Sequence, residues 1–336
     1  MLPPPVCFSI SDGSQVGYAR RAAVQLVEGF AFDEVDAGHV AIVVSELATN
    51  LAKHAEGGLI SLRLIETFGR YELEIVCVDC GRGIVDVSKC FEDGYSTSGT
   101  PGSGLGAVRR LSRTFDIFSQ PGKGTVQVSR MARRMDPHLP HTSLEIAGLS
   151  VPIAGETECG DAWCAVSREG MTRLLVADGL GHGSLAAIAS REAVQVLQAT
   201  VDRSLRETLD AMHLALRATR GAAVAIAELH PRENSLHFSG VGNIAGFIAT
   251  PNAVRNQNLV SINGTLGCLA PKFKEFTYSL PPGSRVVLYS DGLHSQVRFD
   301  GYSGLASRHP AITAGLLYRD FQRGRDDATV VVAHVE

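Results

Sequence analysis

A seven-residue break, Met135-Asp136-Pro137-His138-Leu139-Pro140-His141, divides this chain into halves with different apolar patterns. Two prolines in that stretch fix φ and remove backbone donors, so neither a helix nor a strand runs through it. The 336 residues exceed the ~100–200 of a common domain. The break therefore predicts a domain over 1–135, a linker over 136–142 and a domain over 143–336. In the first half Val16, Ala19, Ala23, Leu26, Val27 and Phe30 recur at helical spacing, and Val40, Val43, Val44, Leu47 and Leu51 do so again from about Asp33. Strands are expected over Leu59–Glu66, Tyr71–Asp79, Phe115–Phe118 and Gly124–Arg130, with a helix over Leu105–Arg113. Helices with an antiparallel sheet read as an α+β layer sandwich. The second half alternates many strands with two helices, Ser184 to about Ala199 and Ser204–Arg217, which reads as a β-sandwich with helical flanks.

Charge narrows the function classes. The net charge is −4 with no block of like charges, which argues against nucleic acid as a partner. No apolar run approaches the ~18 residues of a membrane span, so no membrane partner is expected. Met1–Pro5 lacks the basic and apolar regions of a secretory signal, and a cytoplasmic location is expected. Seven cysteines, an odd and sparse set, fit reduced thiols. The Cys77-Val78-Asp79-Cys80 string reads as packing within a strand rather than a redox or zinc pair.

Three clusters in the first half bear on nucleotide chemistry. Glu46 and Asn50 lie four apart on a helix, hence on one face one turn from each other. A carboxylate beside an amide oxygen can orient a nucleophile next to a hard cation, although a solvated helix face has the same pattern. Asp79-Cys80-Gly81-Arg82-Gly83 follows a strand, where Asp79 can accept from an exocyclic amine and Gly81 and Gly83 let the backbone approach a flat base. Gly102-Ser103-Gly104-Leu105-Gly106-Ala107 enters a helix whose free N–H groups suit phosphate oxygens. A dinucleotide-binding reading of that string fails on context, because a long loop precedes it and no βαβ unit surrounds it.

In this order and spacing the clusters resemble the Bergerat-fold ATPases, over about Ser9–Met131. The stretch Asp93–Thr97 with Gly102–Gly106, followed by Gly122-Lys123-Gly124-Thr125, is most similar to the anti-sigma-factor serine kinases of stress-response partner switches. The resemblance implies ATP as substrate and Glu46 as the base that draws the proton from a substrate serine. It implies Asn50 holding Mg²⁺, Asp79 meeting the adenine amine, Gly102, Ser103, Gly104, Leu105 and Gly106 forming the phosphate lid, and Thr125 adding a contact near the base.

The second half places aspartates where apolar strands stop: Asp161, Asp178-Gly179, Ser290-Asp291-Gly292 and Asp326-Asp327. Carboxylates gathered without lysines repel one another unless a divalent cation neutralises them. With no His/Cys ligand spacing, Mg²⁺ or Mn²⁺ is expected rather than zinc. Asp178-Gly179-Leu180-Gly181-His182-Gly183, Ser290-Asp291-Gly292-Leu293 and Asp326-Asp327-Ala328-Thr329 resemble the metal motifs of the protein phosphatase 2C superfamily, nearest its sporulation stage II E branch, over about Ser143–His334. The resemblance implies Asp178 bridging two metals, Gly179 offering its carbonyl, and Asp161, Asp291 and Asp326 completing the set, with Asp327 as an alternative to Asp326. A phosphate-binding arginine of the eukaryotic branch has no counterpart between Arg134 and Arg168, so that role is vacant or filled differently.

Together the motifs imply an α+β two-domain chain, an N-terminal Bergerat sandwich and a C-terminal protein phosphatase 2C-like β-sandwich flanked by helices. The implied function is a bifunctional serine kinase and phosphatase acting on a STAS-domain anti-sigma antagonist or a stressosome protein, with a homodimer left open. Two other readings stay open: a phosphatase whose first domain only senses nucleotide or docks a partner, and a scaffold without catalysis.

Overall fold

The computed structural model describes residues 2–55, 57–67, 69–91, 104–136, 143–251, 253, 255–268, 272–299 and 301–336. The expected linker beyond Asp136 lies outside them, as do Gly102 and Ser103 of the expected phosphate lid. The chain splits into two compact units, Met1–Pro140 with Ala306–Arg319, and His141–Leu305 with Asp320–Glu336.

Unit 1 opens with a strand that the sequence pattern does not predict, β1 (Val6–Ile10). Helix α1 (Gly13–Glu28) starts at an Asp12 capping box closed by Gln15, and α2 (Glu34–His54) starts at Asp33, whose side chain accepts the Asp36 N–H. Then come β2 (Gly58–Thr67), β3 (Arg70–Val78), α3 (Gly104–Leu111), β4 (Thr114–Gln120) and β5 (Gly124–Ala132). The five strands form one antiparallel sheet in the order β1-β2-β3-β5-β4. One sheet face and the inner sides of α1, α2 and α3 share a core that includes Val27, Val43, Leu47, Leu51, Leu62, Ile75 and Val108. Arg134, just past β5, pairs with Asp36 and Asp33 at 2.9 Å each and so ties the sheet to the start of α2.

Unit 2 is a β-sandwich. Its elements are β6 (Leu144–Val151), β7 (Asp161–Arg168), β8 (Met171–Gly179), α4 (Ser184–Ala199), α5 (Leu205–Leu216), β9 (Ala222–His230), β10 (Ser235–Val241), β11 (Ala245–Ala249), β12 (Gln257–Asn258), β13 (Ser261–Ile262), β14 (Phe276–Ser279), β15 (Arg285–Tyr289) and β16 (Ala328–Val335); between the last two in sequence comes α6 (Pro310–Phe321), most of which groups with unit 1. One sheet runs β13-β10-β9-β8-β7 with β14 on β10, the other β12-β11-β15-β16-β6. Both faces of β8 are apolar, and period-two alternation sorts them. Leu174 and Val176 join Phe238, Val286, Leu288 and Val331 between the sheets, while Leu175 and Ala177 join Ala193, Leu197, Leu209 and Met212 beneath α4 and α5.

Helix α6 is the main departure from the sequence expectation. Residues 306–319 were expected within the second domain and group instead with unit 1. There a Cβ on Gly315 would lie 2.6 Å from Val126 Cγ1 and 3.2 Å from Val78 Cγ2, so glycine sets the close approach to β3 and β5. Asp116 fixes the segment further by accepting from the Arg308 guanidinium and the His309 N–H, at 2.9 Å each. Among the described residues no helix is long and apolar enough to cross a membrane.

A buried polar tie inside unit 2 is Arg173, which is 4% exposed. It donates to Glu228 at 2.6 Å, to the Thr200 carbonyl at 3.1 Å and to the Arg203 carbonyl at 2.5 Å. Arg173→Ala takes the donor from Glu228 Oε2 and from the Arg203 carbonyl, and should cost about 3 kcal/mol in urea unfolding. A loss under about 0.5 kcal/mol would refute that role.

Candidate functional site

In unit 1 the cluster forms around α2. Glu46 and Asn50 are both partly exposed on the same face of that helix. A Cβ on Gly104, the first residue of α3, would lie 2.8 Å from Glu46 Oε2, so the base candidate stands against the helix start that follows the lid string. Leu105 packs on the core and Gly106 is buried within α3, so neither presents a side chain to a ligand.

Asp79 lies at the end of β3 and is 7% exposed. Its Oδ1 accepts both the Gly81 N–H at 2.9 Å and the Thr125 N–H at 3.1 Å. Among the described residues Oδ2 has no such partner and remains able to accept from an amine. Burial raises the Asp79 carboxyl above its usual range, against these two N–H bonds. Thr125 holds Ser119 Oγ at 2.9 Å and is tied to Asp79 through its backbone. The glycines beside Asp79 serve the chain's own packing. A Cβ on Gly81 would meet Ala55 Cα at 2.7 Å, and one on Gly83, at φ +66°, would meet the Gln120 carbonyl at 2.2 Å. Cys77 is buried in the core while Cys80 is exposed, and all seven cysteines are free thiols.

In unit 2 the aspartates gather at one end of the sandwich. Asp161 and Asp178 are directly paired across β7 and β8, an arrangement of like charges that is repulsive unless compensated. Asp291 follows β15 and Asp326-Asp327 precede β16, its antiparallel neighbour, so both reach the same end of the second sheet. Burial first, then the charge of Asp178, holds the Asp161 carboxyl well above its ordinary range. Burial, then Asp291 and Asp326, pushes Asp178 up to about 7.

The aspartates divide by what already binds them. Asp327 Oδ1 accepts the Ile153 N–H at 2.7 Å, just past β6 of its own sheet, and Oδ2 accepts the Gly160 N–H at 2.8 Å, just before β7 of the other, so both oxygens are engaged. Asp326 Oδ1 accepts the Asp327 N–H at 2.9 Å, and among the described residues its second oxygen has no hydrogen-bond donor. Asp161 accepts from Ser290 Oγ at 2.6 Å, and Asp291 from Asn243 Nδ2 at 2.7 Å. Gly179 admits no side chain, since a Cβ would lie 2.1 Å from the Ala186 carbonyl. Among the described residues no three His, Cys, Asp or Glu side chains already close on one point. The donor set nonetheless fits a hard divalent cation: it is all oxygen, and its mutual repulsion is what such an ion relieves.

Ser290 and Asn243 are additions to the residues singled out from sequence. Ser290 sits within a quoted motif yet carries no charge to draw notice, and Asn243 is marked only by the Gly242-Asn243 turn after β10.

Comparison with known proteins finds two different families along the chain. The family model "Stage II sporulation protein E (SpoIIE)" matches residues 168–336, and "Histidine kinase-like ATPase domain" matches 11–130. Serine/threonine-protein kinase RsbT of Bacillus subtilis is 35% identical over 119 residues, covering 35% of this chain and 90% of RsbT. Phosphoserine phosphatase RsbX of the same organism is 26% identical over 140 residues, 42% of this chain and 70% of RsbX. A crystal structure of RsbX in complex with magnesium superposes with a TM-score of 0.50 at 22% identity, over 57% of this chain and 96% of that one. A structure from work on the bacterial stressosome, described as a modular system adapted to control secondary messenger signaling, gives 0.53 at 27% identity, over 57% of this chain and 99% of that one.

Crowding of the carboxylates has a pH signature. With Asp178 near 7 in the folded, metal-free chain and near ~4 when unfolded, the stability it contributes is present below about pH 4 and is lost as pH rises through about 7. The chelated protein should therefore melt at lower temperature at pH 8 than at pH 5, and Mn²⁺ should restore more at pH 8. Calorimetry checks both, and a metal-free transition of unit 2 independent of pH would contradict the crowding.

Proposed function

From the premise that this chain belongs to the stage II sporulation protein E family and carries an RsbT-like ATPase domain ahead of it, we propose a bifunctional regulator of a partner-switching pathway. Its N-terminal unit phosphorylates a serine or threonine on a STAS-domain or stressosome partner, and its C-terminal unit removes that phosphate. The observation that carries the reading is that each unit keeps the side chains its reaction requires. Glu46 stands against the start of α3 one turn from Asn50. Asp178 has Asp291 and Asp326 as charged neighbours at the end of the sandwich.

In the kinase reaction Glu46 takes the proton of the attacking hydroxyl and Asn50 holds the cation that accompanies ATP. Asp79 accepts from the adenine amine through Oδ2, with Thr125 beside it, and Gly102–Gly106 cover the phosphates. Hydroxyl attack on the γ-phosphorus then forms the phosphoester as ADP leaves. In the phosphatase, Asp178, Asp291 and Asp326 with the Gly179 carbonyl would hold the ions, with Asp161 facing Asp178 across β7 and β8. Divalent ions bound there supply a water of lowered pKa and neutralise phosphate charge. Asn243 orients Asp291, and Ser290 orients Asp161.

Running both reactions at once only consumes ATP, so nucleotide or partner state is expected to favour one over the other. RsbT and RsbX, a kinase and a phosphatase by name, each match one half of the chain and so support opposed activities in one polypeptide.

The deciding experiment is transfer of labelled phosphate from ATP to a candidate STAS protein by Asp178→Asn, which retains the label. Glu46→Gln in that background should lower incorporation by about 100-fold or more. ATP binding without any transfer would leave the first unit as a nucleotide-sensing or docking module and the phosphatase as the sole enzyme.

A further inference from the structure

Arg220 stands beside the acidic end of unit 2 with no counter-charge of its own. It lies in the short connection between α5 and β9, and the next carbonyl, of Gly221, accepts the Leu180 N–H at 3.0 Å. That bond fixes the 220–221 turn against the loop running from Asp178 to Gly183. A Cβ on Gly181, at φ +85°, would lie 3.0 Å from Arg220 Nη1, so the guanidinium lies against this loop at its glycine. Arg220 is exposed, and among the described residues its guanidinium makes no hydrogen bond or ion pair.

Neighbouring charges are already engaged. Arg191 pairs with Glu158 at 2.8 Å, and His182 with Glu156 at 2.8 Å. The Glu156 carboxylate also lies over Gly183, the N-cap of α4, where a Cβ would meet Oε2 at 2.8 Å. The helix start therefore already faces an anion. A phosphomonoester brings about two negative charges and three peripheral oxygens to a rim lined with carboxylates. A planar guanidinium matches two of those oxygens at once, with a charge that does not titrate in this range.

We propose that Arg220 is a substrate-binding residue of the phosphatase unit, its guanidinium taking phosphoryl oxygens of the phosphoserine or phosphothreonine held at the aspartate cluster. The assignment rests on the phosphatase reading above. Its free guanidinium is held ready by the Gly221–Leu180 bond and lies against the loop at Gly181.

The test is hydrolysis of a phosphoserine peptide by the Mn²⁺-loaded full chain, with inorganic phosphate as product inhibitor. Arg220→Ala should raise KM and the phosphate inhibition constant together, by about 10- to 100-fold, because a charge-assisted bond to the phosphoryl group is lost from both. The Mn²⁺ concentration for half-maximal activity should not move. Arg220→Lys should recover part of the loss, and Arg206→Ala, on the exposed side of α5, should leave both constants unchanged. Arg220→Ala constants within about twofold of the parent would overturn the proposal. If the parent chain hydrolyses no phosphopeptide, the phosphatase reading fails separately. Calorimetric binding of inorganic phosphate to the Mn²⁺-loaded protein then decides: binding lost in Arg220→Ala supports the anion site, and equal binding overturns it.

Discussion

Repulsion between Asp161 and Asp178, set opposite each other on paired strands, is the constraint around which unit 2 is built. Such a pair persists only where the surrounding fold over-determines it. Three ties do so here. Ser290 links the end of β15 to Asp161, Asp327 links the start of β16 to Gly160 and Ile153, and Asn243 holds Asp291. The first two cross between the sheets, so the sandwich core and the acidic end stabilise one another's geometry. The apolar layers around Leu174, Val176, Val286 and Val331 supply the stiffness, and the polar ties decide which carboxylates remain available.

Unit 1 meets a milder version of the same problem. Asp79 is buried at a strand end, and two backbone N–H groups on one oxygen offset part of the cost while leaving the other oxygen unused. Close packing around it excludes side chains: a Cβ on Gly124 would lie 2.0 Å from the Asp79 carbonyl. Glycines that a sequence reading assigns to ligand approach are required here before any ligand arrives. The Glu46 carboxylate in turn lies against Gly104 at the head of α3, where a Cβ would sit 2.8 Å from its Oε2.

Much of this architecture is legible in the sequence because its elements carry a strong period. Helix α4 matches its expected start and end, since its apolar spacing and the Gly183 ahead of it both mark it. Helix α6 escapes for the opposite reason. Nine of its twelve residues are buried, so it is apolar all round and shows no amphipathic rhythm, and Gly315 sits at its centre. Strand β1 escapes because five residues after a proline run are too few to show alternation. At the site, charged residues announce themselves and neutral or distant ones do not. The aspartates were visible as a series, whereas Ser290, Asn243 and Arg220 acquire meaning only through the atoms they meet. Adjacent Asp326 and Asp327 are equivalent as letters, and only the backbone N–H groups of Ile153 and Gly160 tell them apart.

The two units treat the charge of a phosphate in opposite ways, and that difference has a consequence under the proposed function. Asn50 is a neutral amide and Glu46 faces the start of α3, so unit 1 offers a cation few negative ligands of its own. A cation there is held mainly by the nucleotide it accompanies, and its occupancy follows the nucleotide. Unit 2 gathers carboxylates whose repulsion is relieved by a cation or by protonation, so its occupancy follows the free divalent cation and the pH. One chain can therefore hold opposed activities that answer to different variables, nucleotide for addition of the phosphate, free cation and proton for its removal. The balance between them is then set by ligand supply, and no separate sensing element is required for it to shift.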